Sequence, residues 1–385
     1  MINVERDRLI LPALLVSTLS TYPPLIVISV LLVEISQTLD TPLGVTGQLR
    51  TAISLTALLG SLIVAGLTNR FSYRRILIAG LTAVVVSSIV SAFSPNYTTL
   101  LIATLLTGIG IALTTSMTTT LVGEYYPRDE RGKIIGLLGV GGGFAFLFGG
   151  VVSSSLAQYG GWRLAFLGFA TLIGVLGLVF TLIFLPRSGA KGSGKKFTDD
   201  LRQIMGNDGA VRSLAGAVLA SIAIQDLYIY CFSFLKETFK TGTLETGFIY
   251  TGTAGFFIAG SYITSRVING LGPRKMTVIG LIGFSAFTFV YHFIPNLGLA
   301  VAAIMVGNLL EAIRFNGNTA LSLDQAPSQK GAMMSLHSAA SQLGYSIGAG
   351  VGGLILIYSN WSMMGIILPI IGICGSLVVF TIKGH

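Results

Sequence analysis

Three ionisable residues stand near the middle of long apolar stretches of this sequence. Asp226 lies in the run Gln225-Asp-Leu-Tyr-Ile-Tyr230, and Glu311 and Arg314 lie three residues apart in another run. A charged side chain at the centre of a bilayer costs about 2.5–3.5 kcal/mol on insertion scales, so it usually faces a cavity or a partner. These three residues are therefore the first candidates for binding a substrate or a coupling ion.

Asp226 is the candidate for proton binding. On an α-helix, Asp226 and Tyr230 would lie one turn apart on the same face. A carboxyl group inside an apolar segment can bind and release a proton during transport, as acidic residues in pumps and transporters do. The alternative is a structural carboxylate that is neutralised by a neighbouring arginine or simply hydrogen-bonded.

Glu311 and Arg314 can form an ion pair, because residues three apart are neighbours on a helix surface. With Asn308, Phe315 and Asn318 they make a polar stripe whose members are about one turn apart. Such a stripe could contact a substrate. It could equally hold an internal ion pair that serves only packing, and the residues alone leave both interpretations open.

Three further residues are candidates on weaker grounds. Arg50 lies about two turns inside its apolar run, from where its long side chain could reach the membrane–water interface. His337 can titrate near neutral pH, although a lone histidine among small polar residues is more often a packing residue. Tyr22 precedes two adjacent prolines, which free backbone carbonyl groups that can line a cavity or simply kink the helix.

The elements that carry these residues are membrane spans. The chain is 52% hydrophobic and 10% charged, whereas soluble domains carry about 25% charged residues, so a soluble core is excluded. A bilayer is crossed by about 20 apolar residues. Runs near that length occur at 9–33, 44–68, 76–94, 98–122, 134–158, 164–185, 213–235, 246–268, 276–294, 298–321, 331–357 and 362–381. They predict an all-α integral membrane protein with twelve transmembrane helices.

The spans form two sets of six. Residues 1–186 and 213–385 each contain one set, and the stretch 187–212, which is rich in Lys, Gly and Ser, predicts a flexible cytoplasmic linker. With both termini in the cytoplasm, all but five of the 24 Lys and Arg residues fall in cytoplasmic segments. Short cytoplasmic loops accumulate these residues. The predicted location is therefore the cytoplasmic membrane, with both termini inside.

The two halves resemble each other at an offset near 200 residues. Arg74-Arg75 matches Arg274-Lys275, and Pro95-Asn96 matches Pro295-Asn296. A parallel repeat of this kind predicts two pseudo-symmetric six-helix bundles, a layout that suits rocking around a site at the membrane midplane.

The stretch 65–75 is similar to the loop motif between spans two and three of the major facilitator superfamily, Gly-x-Leu-Ala-Asp-Arg-x-Gly-Arg-Lys. Leu67, Arg70 and Arg74 match, and Asn69 stands in place of the Asp. The resemblance implies that this motif closes the cytoplasmic side through charge pairs and a helix-end contact. Asn69 cannot supply a carboxylate, so the closure should be weaker here. The implied gating residues are Asn69, Arg70, Arg74, Arg75 and Arg131.

Other motifs extend the resemblance over essentially the whole chain. Pro127 to Gly132 is similar to the family's loop between spans four and five, and Gly161 to Phe166 is similar to the start of span six. Two motifs depart from the family pattern. Thr104 stands where span four of the family has an Arg, and Ala145-Phe146 replaces the central Gly-Pro of the antiporter motif. The pattern still resembles the twelve-span drug and metabolite exporters most.

The resemblance implies that spans one, four, seven and ten line a central cavity, which would contain Asp226 and the Glu311–Arg314 stripe. The predicted function is a secondary active transporter that works by alternating access, with proton-coupled efflux of a small molecule. Two alternatives stay open. One is an organic-anion importer or exchanger that binds the anion through Arg314 and Arg50, and the other is a membrane sensor without turnover.

Several classes of activity are not expected. The sequence has no ATP-binding motif, no metal-ligand cluster, and no nucleophile with a neighbouring base, so we expect neither an enzyme nor a cofactor. The basic residues lie in loops between membrane-length runs, which argues against nucleic acid as a partner. The expected partners are the lipid bilayer, a small-molecule substrate and protons, and the resemblance implies a monomer.

Overall fold

A computed structural model describes residues 4–68, 70–186 and 197–382 of the chain, and these residues form helices without any strand. The helices of the first half are α1 (Val4–Leu19), α2 (Pro23–Val30), α3 (Leu32–Thr38), α4 (Leu43–Thr46), α5 (Gln48–Leu67), α6 (Tyr73–Ala92), α7 (Tyr97–Tyr125), α8 (Arg128–Ala165) and α9 (Leu172–Phe184). Those that follow are α10 (Phe197–Met205), α11 (Asp208–Ala223), α12 (Cys231–Phe239), α13 (Thr243–Leu271), α14 (Pro273–Phe293), α15 (Leu297–Gln325), α16 (Lys330–Tyr358) and α17 (Trp361–Phe380). Two π-helical turns, Phe166–Thr171 and Asp226–Tyr230, precede α9 and α12.

Ten helical segments among the described residues are long and apolar enough to cross a membrane. One of them, Ile134–Phe184, has 51 residues, about twice the length that a span needs. It turns at Gly160 and Gly161, whose backbone is not helical. Gly161 has a φ of 66°, which glycine adopts without steric cost. Divided at this turn and taken with α13, these segments correspond to the twelve predicted spans, and the protein is an all-α membrane protein.

The first span is interrupted where the sequence has its proline pair. The helix α1 ends at Leu19 and α2 begins at Pro23, because proline has no N–H to continue the helical hydrogen bonds. The hydroxyl of Ser20 donates to the carbonyl of Ile173 at 2.9 Å. A side chain thus forms a polar contact with a second helical segment at the break.

The described residues form two compact units. The first comprises those of Met1–Thr41, Ala52–Gly194 and Gly242–Thr251, and the second comprises those of Pro42–Thr51, Lys195–Thr241 and Gly252–His385. Two short segments therefore belong to a different unit from the residues that flank them in the sequence. Pro42–Thr51 packs with the second unit, and Gly242–Thr251 packs with the first.

Within the second unit, glycines bring helices into close contact. A Cβ atom on Gly344 or Gly348 of α16 would overlap the backbone of α11. A Cβ atom on Gly280 of α14 would overlap the backbone of α15 near Arg314. Small residues allow such close approach between membrane helices. These contacts fix the positions of α11, α14, α15 and α16, of which α15 carries Asn308, Glu311 and Arg314.

Candidate functional site

Asp226 begins the π-helical turn that separates α11 from α12, and its side chain is fully buried. Neither carboxylate oxygen accepts a hydrogen bond of normal geometry from the described residues. The Oδ2 atom lies 3.6 Å from Nδ1 of His292, near the end of α14. Tyr291 also interacts with the carboxyl group. The basic neighbour of Asp226 is thus a histidine and not an arginine.

His292 was not among the residues singled out from the sequence. Its side chain is buried, and its ring centroid lies 4.7 Å from that of Phe234 and 4.3 Å from that of Tyr291. Trp361, at the start of α17, lies 6.5 Å away. The only signal in the sequence was a histidine at the end of an apolar run. Its proximity to Asp226 depends on the packing of α14 against the π-helical turn.

Tyr230 contacts a different helix from the one that Asp226 contacts. Its hydroxyl donates to the carbonyl of Ala349 at 2.6 Å, and its ring packs against Gly352, both on α16. The two side chains therefore have different partners, because Asp226 lies beside His292 of α14 and Tyr230 binds α16. The π-helical turn between them is wider than an α-helical turn and changes their register. Such turns occur frequently at functional sites.

Glu311 and Arg314 form the ion pair that their spacing allows. The Nε atom of Arg314 donates to Oε2 of Glu311 at 2.8 Å, and the Nη2 atom donates to Oε1. Both side chains are at most 2% exposed. A bidentate Arg–carboxylate pair of this kind is strong and has a fixed geometry. Because arginine keeps its charge at all accessible pH values, the pair is a permanent feature of α15.

Two tyrosines accompany this ion pair. Tyr345 of α16 interacts electrostatically with Glu311, Arg314 and Arg50, and Tyr228 interacts with Arg314. The rings of Tyr228 and Tyr345 are 6.4 Å apart. Hydroxyl groups beside a fixed ion pair offer both donors and acceptors to a polar ligand.

Arg50 is 8% exposed and belongs to the second unit. The expectation that its side chain extends to the membrane surface is therefore wrong. Its segment packs against α16, where Gln48 Nε2 donates to the Gly350 carbonyl at 3.3 Å. This packing keeps Arg50 inside the protein.

The polar stripe on α15 is only partly as predicted. Asn308 is buried and its amide nitrogen donates to the carbonyl of Ile304 at 2.9 Å. Asn318 is fully buried, and neither atom of its amide has a hydrogen-bond partner among the described residues. Phe315 is exposed, packs near Phe257, and has the guanidinium of Arg314 5.7 Å from its ring centroid.

His337 belongs to a chain of hydrogen-bonded side chains that joins three helices. Its Nδ1 atom is 3.0 Å from the hydroxyl of Ser322, which is 2.7 Å from the hydroxyl of Ser213. All three residues are buried. These contacts agree with a packing role for His337.

The residues of the implied gating loop differ in their surroundings. Asn69 lies outside the described residues, and Arg70 and Arg75 are exposed. Arg74 donates to the carbonyl of Leu182, near the end of α9, at 2.9 Å. Arg131 donates from Nε to the carbonyl of Tyr126 at 2.9 Å and also binds the carbonyl of Gly123. Arginines at the carboxyl ends of helices are favourable because the helix dipole is negative there.

Tyr22 belongs to an aromatic group in the first unit. Its ring is 5.2 Å from that of Phe146, which stacks with Tyr250 at 6.3 Å. Phe146 is one of the two residues that replace the Gly-Pro of the antiporter motif. In the part of the chain that the structure describes, no group of three His, Cys, Asp or Glu side chains could hold a metal ion.

Comparison with known proteins identifies the family. The family model described as Major Facilitator Superfamily matches residues 13–234 and again 214–384. The MFS-type transporter YwfA of Bacillus subtilis is 22% identical over 367 residues, which cover 94% of this chain and 89% of YwfA. A probable sugar efflux transporter of Pasteurella multocida is 26% identical over 366 residues, which cover 90% and 83%.

A solved structure shows the same fold. The nucleoside transporter NupG, in a mutant form, superposes with a TM-score of 0.81 at 12% identity, over 98% of this chain and 100% of NupG. The family match and the curated relatives agree with this fold across nearly the whole sequence. The chain belongs to the major facilitator superfamily and is a membrane transporter.

Proposed function

We propose that this transporter exports a small organic molecule in exchange for protons, by alternating access between its two halves. The observation that carries the proposal is the environment of Asp226. This carboxyl group is fully buried, and its basic neighbour is His292 at 3.6 Å. Arginine would keep a positive charge beside the carboxylate at every pH, whereas histidine can lose its charge near neutrality. The Asp226–His292 pair can therefore take up and release one proton during a transport cycle.

The Glu311–Arg314 pair and its two tyrosines are the proposed substrate contacts. Glu311 is already neutralised by two hydrogen bonds from Arg314, which suits it less to proton exchange than Asp226. The polar groups of Tyr228, Tyr345 and Asn318 would bind hydroxyl or amino groups of a substrate. The relative from Pasteurella multocida, named a probable sugar efflux transporter, supports export and a polar substrate.

An organic-anion carrier is less well supported by this geometry. Two N–H groups of Arg314 are bound to Glu311. An anion that uses Arg314 would have to displace the carboxylate and leave it buried without its partner, which is costly. A neutral or cationic substrate avoids this cost.

The distribution of basic residues supports a position in the cytoplasmic membrane with both termini inside. Proton exchange would then use the inward proton gradient across that membrane. We propose that the transporter works as a monomer.

The test uses purified protein in liposomes that contain a pH-sensitive dye. A panel of sugars, lipophilic cations and small organic anions is added to the wild type and to Asp226→Asn. We expect one compound to trigger proton flux in the wild type and the flux to be lost in Asp226→Asn. The control is Asp324→Asn, which changes an exposed carboxylate at the end of α15 and should leave the flux unchanged.

Two outcomes would overturn the proposal. Flux that persists in Asp226→Asn would remove Asp226 from coupling. Counterflow of an organic anion without proton movement, lost only in Arg314→Ala, would establish the anion carrier instead.

A further inference from the structure

The two nitrogen atoms of His292 have different surroundings. Its Nδ1 atom lies 3.1 Å from the carbonyl oxygen of Thr288 and 3.6 Å from Oδ2 of Asp226. A carbonyl oxygen only accepts hydrogen bonds, as does an ionised carboxylate, so Nδ1 carries the hydrogen. In the neutral ring the second nitrogen, Nε2, is then bare. It is buried and has no hydrogen-bond partner among the described residues.

The ionisable residues around the Asp226–His292 pair indicate that the pair can take up one proton. On α12 the ionisable residues are Cys231, Lys236 and Glu237, and on α14 the near neighbour is Tyr291. The helix α17 has no ionisable residue except Cys374, and on α15 Glu311 and Arg314 are bound to each other. An ionised Asp226 beside a neutral His292 is a buried negative charge, which is costly. One added proton makes the pair neutral overall.

Aromatic rings form the rest of the surroundings of His292. The centroids of Phe234, Tyr291 and Trp361 lie 4.7, 4.3 and 6.5 Å from the imidazole centroid. A cation near the face of an aromatic ring is attracted to it. The imidazolium form would thus be stabilised by the rings as well as by Asp226.

One hydrogen bond fixes the outermost of these rings. The indole N–H of Trp361 donates to Oε2 of Glu237 at 2.9 Å. Glu237 is exposed, Trp361 is half-buried, and Phe234 beneath them is buried. The rings of Phe234, Tyr291 and Trp361 are called the aromatic wall below. Glu237 and Trp361 are therefore the part of this wall that is nearest to the protein surface.

We propose that the proton-binding site is the Asp226–His292 pair and that Nε2 of His292 is the atom that takes the proton. The proton enters through the aromatic wall, which the Glu237–Trp361 hydrogen bond closes. The proton comes from water and forms an N–H bond at Nε2, so His292 becomes an imidazolium with Asp226 as its counter-ion. The role of this step in transport rests on the function proposed above, whereas the binding of the proton does not.

The test uses the fluorescence of Trp361. The chain has two tryptophans, so Trp162→Phe in the full-length protein leaves Trp361 as the sole indole. Its emission is recorded in lipid nanodiscs from about pH 5 to 8, the range in which histidine changes charge. We expect reversible quenching on acidification, because an imidazolium beside an indole quenches it. The quenching should be lost in His292→Gln and kept in His337→Gln.

Two further variants test the Asp226–His292 pair and the Glu237–Trp361 hydrogen bond. Asp226→Asn removes the counter-ion and should move the midpoint of the quenching by about one pH unit or more. Glu237→Ala should make quenching after a pH jump faster, because Trp361 is no longer held in place. Glu245→Ala, an exposed glutamate on α13, should leave the rate unchanged. If His292→Gln does not fold, as judged by size-exclusion chromatography, His292→Asn takes its place.

Quenching that survives in both His292 variants would overturn the inference, as would an unchanged rate in Glu237→Ala. The result is separable from that of the liposome experiment because no substrate is needed. A His292-dependent transition without any proton flux would reject coupled transport and keep the proton site. Coupled flux without a His292-dependent transition would reject the proton site and keep coupled transport.

Discussion

Asp226 and Glu311, both buried in the second unit, differ in the base beside them. Glu311 is bound at two points by Arg314, a residue that stays charged. Asp226 lies beside His292, whose imidazole can be either neutral or protonated. Glu311 is thereby assigned to a fixed ion pair, and Asp226 to the pair that is proposed to exchange a proton. The type of the partner, and not burial itself, separates the two roles.

The fixed pair should be sensitive to the loss of one member. We expect Glu311→Gln to lower the free energy of unfolding by about 3–5 kcal/mol, because Arg314 would remain buried without its counter-charge. The double variant Glu311→Gln with Arg314→Met should recover most of this loss, since no charge remains. Thermal unfolding of the detergent-solubilised protein measures both. A double variant no more stable than Glu311→Gln would contradict this account of the pair.

At the scale of the elements, the contact between α11 and α16 determines where several candidate residues lie. Gly348 of α16 approaches the backbone of Ile222 on α11. Close to this contact, Gln225 Nε2 donates to the carbonyl of Tyr345 at 2.9 Å. The contact therefore positions both Asp226, which follows Gln225, and Tyr345 beside the ion pair.

We expect Gly348→Ala to destabilise the protein by about 1–3 kcal/mol, because its Cβ atom would be forced into the backbone of α11. The matched variant is Gly255→Ala in α13, where a Cβ atom would meet nothing within 4 Å. There alanine should be neutral, or stabilising by up to about 1 kcal/mol, because it favours a helix over glycine. Thermal unfolding compares the two. Equal effects would show that the close contact does not constrain the fold.

The arginines at the ends of helices repeat between the two units. In the first unit Arg74 binds the carbonyl of Leu182 near the end of α9. In the second, Arg274 binds the carbonyl of Phe380 at the end of α17. The offset of 200 residues seen in the sequence thus corresponds to the same type of contact in each unit. It places a basic residue at the negative end of a helix dipole both times.

At the scale of the whole molecule, the proposed orientation can be tested with single cysteines. The native Cys231 and Cys374 are first replaced by alanine. Tyr159, at the end of the fifth predicted span, is 86% exposed and is predicted to lie outside. Tyr159→Cys should react with a membrane-impermeant maleimide in intact cells. Ser188→Cys in the predicted linker should react only after permeabilisation, and the opposite pattern would reverse the topology.

The sequence by itself determined the class of protein, its helical membrane spans and the family. These properties depend on local composition, because each membrane helix must satisfy its own backbone and expose apolar side chains to lipid. The Glu311–Arg314 pair was also predictable, since both residues lie on one helix and their spacing alone brings them together.

Only the tertiary structure decided which residues on different helices meet. It placed His292 beside Asp226, bound Tyr230 to Ala349 on α16, and buried Arg50 in the second unit. Such contacts depend on the rotation and register of helices that are far apart in sequence. Glycine contacts and a π-helical turn set that register here. The pattern of apolar residues along one helix does not specify it.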